Sequence, residues 1–511
     1  MGARDASARL ESGRPAKYAG AMIWNQDELV RVAGEKLGRH RICIVSNREP
    51  YLHLYDRGQL RLITPASGMA SALDPVASAC GGTWVAHGAG DGDRETVDGS
   101  DHIRVPPEGP RYTLRRVWLS AEEENDYYYG FANGALWPLC HTVYVKPRFL
   151  QREWEAYRAV NEKFAAVVLE EIGEETGLVF IQDFHFALLP RLLKERRPDL
   201  LVAHFWHIPW PNREAFRVCP WSSEILDGLL GNDLLCFHIQ YHCQNFLDTV
   251  DRTIEARVDL EHQSVIRGGH STRIRPHAIS IDFERIETIA RSEKVRARLQ
   301  QLRRQYKPAN QWIGLGVDRM DYTKGILERF DAVDRFLELH PQFRQKFTFV
   351  QLGPLSRIQV PEYQRYNDEM IHKVIAINAR HKLGSWRPIV LERVHFSMED
   401  LAAYYQLADV AVVSSLHDGM NLVAKEFTAA RVDEGGALLL SRFTGSAREL
   451  TDAYAINPYA TDAFARALKD AIDAPAEENR RRMARMRAQV RENNVYLWAG
   501  RVIGDLQRLG K

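Results

Sequence analysis

From about residue 41 onward, short apolar runs alternate with longer segments whose apolar positions recur at helical spacing. Runs of the first kind read as buried strands and segments of the second kind as helices packed on them, so the pattern predicts an α/β protein built on parallel sheets. The clearest strands are expected over 42–46, 178–182, 200–205 and 234–238, with a long helix over 153–171. A hairpin is expected over 265–274, where two β-favouring runs meet at Gly268-Gly269. After a charged helical stretch at 287–306, a second series follows over 312–317, 347–352, 389–391, 410–414 and 437–441. The segment 476–511 reads as an Arg-rich helical tail whose Val495, Leu497, Trp498, Val502 and Leu506 must dock somewhere. Residues 1–39 lack a sustained period, apart from a part-helical stretch near 27–36.

The expected organisation is therefore an N-terminal extension (1–39), a Rossmann-like domain (40–284), a second Rossmann-like domain (285–490) and a C-terminal helix (491–511) that packs back on the first. Two doubly wound sheets in tandem leave a cleft between their carboxyl ends. Ligands of open α/β sheets bind at that end, and one domain can close over them.

The 511 residues carry 68 basic and 67 acidic side chains, a net charge of +1, which argues against a general nucleic-acid binder. No apolar run is long enough to span a bilayer. The opening residues lack the apolar core of a secretion signal, and Ala6 stands where a myristoylation signal needs Ser or Thr. A cytoplasmic protein without a membrane or nucleic-acid partner is expected, with a homo-oligomer left open. The cysteines at 43, 80, 140, 219, 236 and 243 form no CxxC pair and read as structural thiols.

Chemistry concentrates in a few places. Arg319 and Lys324, in DRMDYTKG at 318–325, follow an expected strand. There a forked guanidinium and a compact ammonium can both reach a diphosphate; the plainer alternative is a pair of solvated surface charges. In DGMNLVAKE at 418–426, Gly419 would let the backbone approach a ligand, and the helix starting there offers free N–H groups to phosphate. Asp418 and Glu426 would orient sugar hydroxyls; the plainer alternative is a strand–loop–helix joint capped by Asp418. In the first half, Ser46-Asn47-Arg48, Ser67-Gly68, Asp183-Phe184-His185 and His207-Ile208-Pro209-Trp210-Pro211 place polar groups around the strand ends of one sheet. Asp91-Gly92-Asp93 reads as a surface turn. Asp183 and His185 lack a third ligand at a metal spacing, so no metal and no cofactor are expected.

These motifs are collinear with a known family. SNR at 46–48, DYYYGFANGALWP at 126–138, QDFHFALLP at 182–190, HIPWP at 207–211, DRMDYTKG, SR at 356–357, DGMNLVAKE and ELTDAYAINPY at 449–459 resemble the trehalose-6-phosphate synthases. These are retaining glycosyltransferases with two facing Rossmann-like domains (GT-B type). The resemblance implies transfer of glucose from a nucleotide sugar, UDP-glucose being the expected donor, to glucose 6-phosphate. It assigns Arg319 and Lys324 to the donor diphosphate, with Ser67 and Gly68 near the donor phosphates. Leu422, Val423, Ala424, Lys425 and Glu426 surround the nucleotide, with Glu426 on the ribose and Phe396 near the base. His207 and Asp418 face the donor glucose. Arg48, Tyr128, Trp137, Asp183 and Arg357 line the acceptor site, with Arg48, Tyr128 and Arg357 on its phosphate. The first domain then holds the acceptor and the second the nucleotide sugar.

Three positions depart from the family's pattern: Ser67 stands for Gly, Gln182 for His and His417 for Arg. Retention by double displacement would require a carboxylate at the anomeric carbon. Asp183 is the nearest candidate, and the resemblance puts it on the acceptor, which favours front-face attack. The alternatives are a sister enzyme resembling glucosylglycerol-phosphate synthases, which uses glycerol 3-phosphate or another small phosphate, and a non-catalytic sugar-phosphate sensor. Arg357 argues against the first; the presence of Arg319, Lys324 and Glu426 argues against the second.

Overall fold

In the computed structural model, which describes residues 23–38, 40–64, 68–306 and 311–509, the run at 42–46 becomes the strand Arg41–Arg48. Its alternate side chains serve two cores: Cys43 and Val45 pack with Phe164 and Val168, while Ile44 packs with Val76 and Trp84. Burial of both faces is what a parallel sheet sandwiched by helices requires. This strand is the hinge of a ten-stranded sheet. Named by first residue, the strands run 257, 264, 270, 234, 201, 177, 41, 83, 112, 102 across the sheet. Neighbours from 270 to 112 are parallel, and the edges are antiparallel. The second sheet is wholly parallel, in the order 389, 347, 312, 410, 437, 454. The expected α/β class, two facing doubly wound sheets, is what the chain adopts.

Each sheet is wound outward in both directions from its first strand, which places a topological switch point beside it. In the first sheet Arg41–Arg48 lies between Thr83–His87 and Gly177–Gln182; in the second, Trp312–Val317 lies between Phe347–Leu352 and Val410–Val413. The loops leaving these strands are the only place where neighbouring crossovers part, so a crevice opens there. The chain passes between the sheets twice, and the two passages are joined by Val495 N–H to the Ile281 carbonyl (3.0 Å) and by Tyr496 Oη to Asp282 (2.7 Å). Helix Val495–Leu509 then lays Trp498 against Phe180 and Phe205 of the first sheet.

Several details differ from the sequence reading. The structure adds strands His102–Val105 and Tyr112–Val117 and the hairpin Leu52–Asp56/Gln59–Ile63 to those that the apolar runs predict. Arg115 and Arg116 interrupt the apolar run of Tyr112–Val117, yet both are buried because acidic partners await them. One of those partners corrects the reading of Asp91-Gly92-Asp93 as a surface turn. Asp91 is exposed, but Asp93 is fully buried, 2.8 Å from Arg116 Nη2, whose Nε binds Glu49 at 2.8 Å. The helical stretch at 287–306 is two helices, Phe283–Ala290 and Glu293–Tyr306, parted at Ser292, whose hydroxyl accepts from Val295 N–H. The tail likewise breaks, at Asn493-Asn494: the Asn494 side chain accepts from the N–H groups of Tyr496 and Leu497 and donates to the Trp24 carbonyl. Within the part-helical stretch near 27–36, helix Gln26–Leu37 buries Leu29, Val32 and Ala33. Among the described residues no helix is long and apolar enough to cross a membrane.

Candidate active site

At the first switch point, Trp84 Nε1 donates to Ser46 Oγ (2.8 Å), which donates to the Arg48 carbonyl (2.6 Å). This relay fixes the backbone beyond the strand, and the Arg48 guanidinium reaches Tyr128 Oη at 3.0 Å. Tyr128 lies on Glu124–Leu136, a π-helix, the wide helical form concentrated at functional sites. Its ring stacks on His185 (5.7 Å between centroids, 14° between planes), and its carbonyl accepts from Asn133 Nδ2 at 2.7 Å. Trp137, at the start of the next helix, keeps its buried indole N–H without a partner among the described residues.

The neighbouring strand ends at Asp183, held at φ 71°. A non-glycine residue in the left-handed region costs free energy and persists where surrounding contacts enforce it. Here Asp183 Oδ1 accepts from the N–H groups of Phe184 (3.0 Å) and His207 (3.2 Å). Burial raises its carboxyl to about 7, against the opposing pull of those N–H groups and of Arg357 and Arg319. His207 follows strand Leu201–Phe205, and its Nε2 lies 2.9 Å from Gln182 Oε1. Burial, and then His238, His204 and His185, hold its pKa well below the usual imidazole range.

Across the cleft, Asp321 opens the single turn Tyr322–Lys324 by accepting from Thr323 N–H, and Gly325 closes it in a left-handed conformation (φ 61°). A Cβ at Gly325 would strike the Ser414 carbonyl, so this turn must end in glycine for the two loops at the second switch point to meet. They meet through Lys324 Nζ and Asp418 Oδ2, 2.5 Å apart and both nearly enclosed. Ser415 Oγ (3.1 Å) and Asn421 Nδ2 (3.2 Å) donate to the same oxygen. Burial alone would raise the Asp418 carboxyl, but Lys324 holds it below the usual carboxylate range.

Arg357, also left-handed (φ 46°), stacks on Trp137 of the opposite sheet's face at 4.0 Å, while Arg319 lies 5.9 Å from the same ring. The Arg357 guanidinium donates to Tyr363 Oη (2.5 Å), which donates to Asp321 Oδ2 (3.0 Å). Three guanidiniums thus surround Tyr128. Burial would push its phenol up, but Arg48, Arg357 and Arg319 together pull it down to about 7. Their mutual repulsion, added to burial, lowers the proton affinity of Arg319. Such a concentration of positive charge is what a dianionic ligand relieves.

Helix Leu422–Ala430 begins at Asn421 (φ 70°), whose side chain accepts from Ala424 N–H; the cap is therefore Asn421 and not Asp418. The missing Cβ of Gly419 makes room for the His207 carbonyl of the first domain. The Lys425 ammonium turns away from the cleft to Glu449 (2.6 Å) and the Ile279 carbonyl (2.8 Å), which leaves only its backbone for a ligand at this helix end. Glu426 Oε2 accepts from Tyr405 Oη at 3.1 Å, and burial raises its carboxyl. Leu422 lies against Gly68, the first residue of helix Gly68–Cys80, so two helix starts face each other across the cleft. Leu422, Val423 and Phe396 border one core, with Phe396 edge-on to Tyr404. Ser67 lies outside the described residues.

The structure therefore gathers Arg48, Tyr128, Trp137 and Asp183 from the first domain and Arg319, Lys324, Arg357, Asp418 and the start of helix Leu422–Ala430 from the second around one cleft, with the His207 carbonyl against Gly419. Sequence reasoning missed Tyr363, which tethers Arg357 from a helix with no motif to mark it, and the anchoring roles of Ser415 and Asn421. His417, Nδ1 to the His141 carbonyl at 2.8 Å, spans the two domains beside them. Among the described residues no group of three or more His, Cys, Asp or Glu side chains is placed to hold a metal.

Comparison with known proteins gives the same architecture. The sequence profile of glycosyltransferase family 20 matches residues 40–508. A trehalose-6-phosphate synthase of Mycolicibacterium vanbaalenii is 37% identical over 467 residues, 89% of this chain and 94% of the relative. A solved structure from E. coli bound with UDP-2-fluoro glucose is similar with a TM-score of 0.81 and 30% identity, over 92% of this chain and 99% of the other. A UDP-forming α,α-trehalose-phosphate synthase from Burkholderia xenovorans in complex with glucose-6-phosphate gives 0.82 and 29%, over 91% and 100%. A match that runs through both sheets and every loop of the cleft makes this chain a member of glycosyltransferase family 20.

Proposed function

We propose that this chain transfers glucose from UDP-glucose to glucose 6-phosphate, forming α,α-trehalose 6-phosphate and UDP. The observation that carries this reading is the separation of cationic groups into two centres within one cleft. Arg48 and Arg357 crowd Tyr128 and Trp137, Lys324 and the start of helix Leu422–Ala430 lie at the second switch point, and Arg319, close to both Tyr128 and Asp321, is shared between the two centres. Two anionic partners, a phosphorylated acceptor and a nucleoside diphosphate, match that arrangement. The named relatives supply the chemistry of both: a UDP-glucose analogue in one solved structure and glucose-6-phosphate in another.

In this reading Arg48, Tyr128 and Arg357 hold the acceptor phosphate and Trp137 and Asp183 its sugar. Arg319 and Lys324 take up charge as the bond between the anomeric carbon and the diphosphate oxygen breaks. Fixed cations aimed at developing charge lower the barrier without reorganising. The new bond forms from the acceptor O1 on the face the diphosphate leaves, and the O1 proton passes to the departing phosphate oxygen. In this reading Asp183, its Oδ1 held by two backbone N–H groups, faces the acceptor rather than the anomeric carbon, which favours front-face attack over a covalent glycosyl intermediate. The test is nucleotide release over a matrix of nucleotide sugars and phosphorylated acceptors. UDP-glucose with glucose 6-phosphate should turn over fastest; faster turnover with glycerol 3-phosphate would move the chain to the sister synthases.

A further inference from the structure

Three histidines stand in a row behind the cleft, and each points Nε2 at an oxygen. His204 Nε2 lies 2.9 Å from the Asp183 carbonyl, His238 Nε2 3.0 Å from the His207 carbonyl, and His207 Nε2 2.9 Å from Gln182 Oε1. A backbone carbonyl only accepts, so Nε2 carries the proton in His204 and His238. For His207 the question turns on which end of the Gln182 amide faces it. The other end of that amide lies 3.4 Å from the Phe180 carbonyl, again an acceptor only, so the NH2 group must sit there and the carbonyl oxygen must face His207. Gln182 is fully buried, which leaves the amide no solvent with which to satisfy the reverse orientation.

Of the three rings, His207 alone keeps an open side. Nδ1 of His204 and of His238 is sealed in the interior without a partner among the described residues, whereas His207 is partly exposed, its carbonyl against Gly419. Resting on the transferase reading above, we propose that Gln182 is a positioning residue: it fixes His207 as the Nε2–H tautomer, so that Nδ1 presents a lone pair to a hydroxyl of the donor hexose. Only a ring acting as acceptor recognises a hydroxyl through its proton. The opposite tautomer would put an N–H toward the sugar and read the same position as a lone pair. Gln182 thus sets what His207 discriminates without touching substrate. The neutral state this needs is favoured by burial and by the neighbouring imidazoles.

The experiment combines a spectroscopic and a kinetic readout on the full chain. Nitrogen NMR of histidine-labelled protein, with His207 assigned by its absence in His207→Asn, should show Nε2 protonated and Nδ1 bare at neutral pH. In Gln182→Met, which keeps the volume but removes the acceptor, the His207 signals should shift toward a mixture of tautomers. UDP-glucose analogues carrying fluorine, which can accept but cannot donate, in place of one hydroxyl at a time should reveal one position whose replacement costs the wild type about tenfold in kcat/KM, the worth of one hydrogen bond. That discrimination should largely vanish in Gln182→Met and return in Gln182→Asn only in part, because the shorter amide reaches less far. A bare Nε2 in the wild type, or unchanged hydroxyl discrimination in a folded Gln182→Met, would overturn the assignment. Failure of every UDP-hexose to turn over would overturn the transferase reading instead, with the tautomer still decided by the NMR.

Discussion

Replacing Asp418 with Asn probes the joint on which the second switch point rests. The Lys324 ammonium and the Asp418 carboxylate are 2.5 Å apart and both nearly enclosed, so each is the other's chief compensation for leaving water. Asn keeps an oxygen for Ser415 and Asn421 but removes the charge, which leaves a buried cation alone. Breaking one side of a buried pair costs about 3–5 kcal/mol. At roughly 2–4 °C per kcal/mol for domains of this size, the melting transition should fall by about 6–20 °C. The same reasoning predicts a gain. UDP now meets a Lys324 whose charge is uncommitted, so its dissociation constant should tighten by about tenfold and its stabilisation should grow by about 1.4 kcal/mol at saturation. Lys324 holds the folded pKa of Asp418 below its unfolded value, so the pair's contribution is complete above a pH of about 3.9 and fades as the pH falls below it. Wild type and variant should therefore converge in acid. Thermal melts with and without UDP, and calorimetric titration of UDP, measure all of this. An unliganded Asp418→Asn protein that melts with the wild type, or one that binds UDP more weakly, would refute the reasoning.

Other consequences are narrower. Tyr128 ionises near pH 7 under the pull of Arg48, Arg357 and Arg319; above that pH the phenolate cancels one of their charges, so KM for a phosphorylated acceptor should rise with pH and Tyr128→Phe should flatten the rise, as initial rates across pH would show. Arg357→Ala should weaken acceptor use by more than about tenfold with UDP binding nearly intact, and Arg357→Lys should rescue it only partly, because an ammonium reproduces neither the fork nor the stacking on Trp137. Equal loss of UDP affinity would place Arg357 in the other subsite. His141, His238 and His242 are buried with pKa values lowered to about 3, and His204 to about 4, chiefly by desolvation. The unfolded chain binds more protons below pH 6.5, so stability is full above that value and falls by about 1.4 kcal/mol per histidine by pH 5.5, which melts in matched buffers would reveal and a flat profile would contradict.

The strands that carry the site were legible because they are uninterrupted apolar runs ending in polar motifs: Arg41–Arg48 into Ser46-Asn47-Arg48, Trp312–Val317 into Asp318-Arg319, Val410–Val413 toward Asp418. The loops after parallel strands must lie at one end of a sheet, so a reading of strands also locates the cleft. What stayed hidden depends on partners far along the chain. Nothing local shows that Asp93 is buried, because Arg116, which neutralises it, lies on another strand. Lys425 sits amid residues assigned to the nucleotide, but Glu449 and the Ile279 carbonyl draw its ammonium away. Gly419 also admits the His207 backbone from the other domain, a neighbour that the local sequence does not show. Composition and spacing register neither a side chain's direction nor the passage of another segment overhead.

Incubating the purified protein with UDP-glucose and glucose 6-phosphate and resolving the product by NMR tests the central claim most directly. One equivalent of UDP should be released for each disaccharide monophosphate formed. Both anomeric carbons of that product should be in the α configuration, the donor's retained across the transfer. A β linkage at the donor carbon, free glucose as the only sugar product, or no UDP release from a folded protein would contradict it.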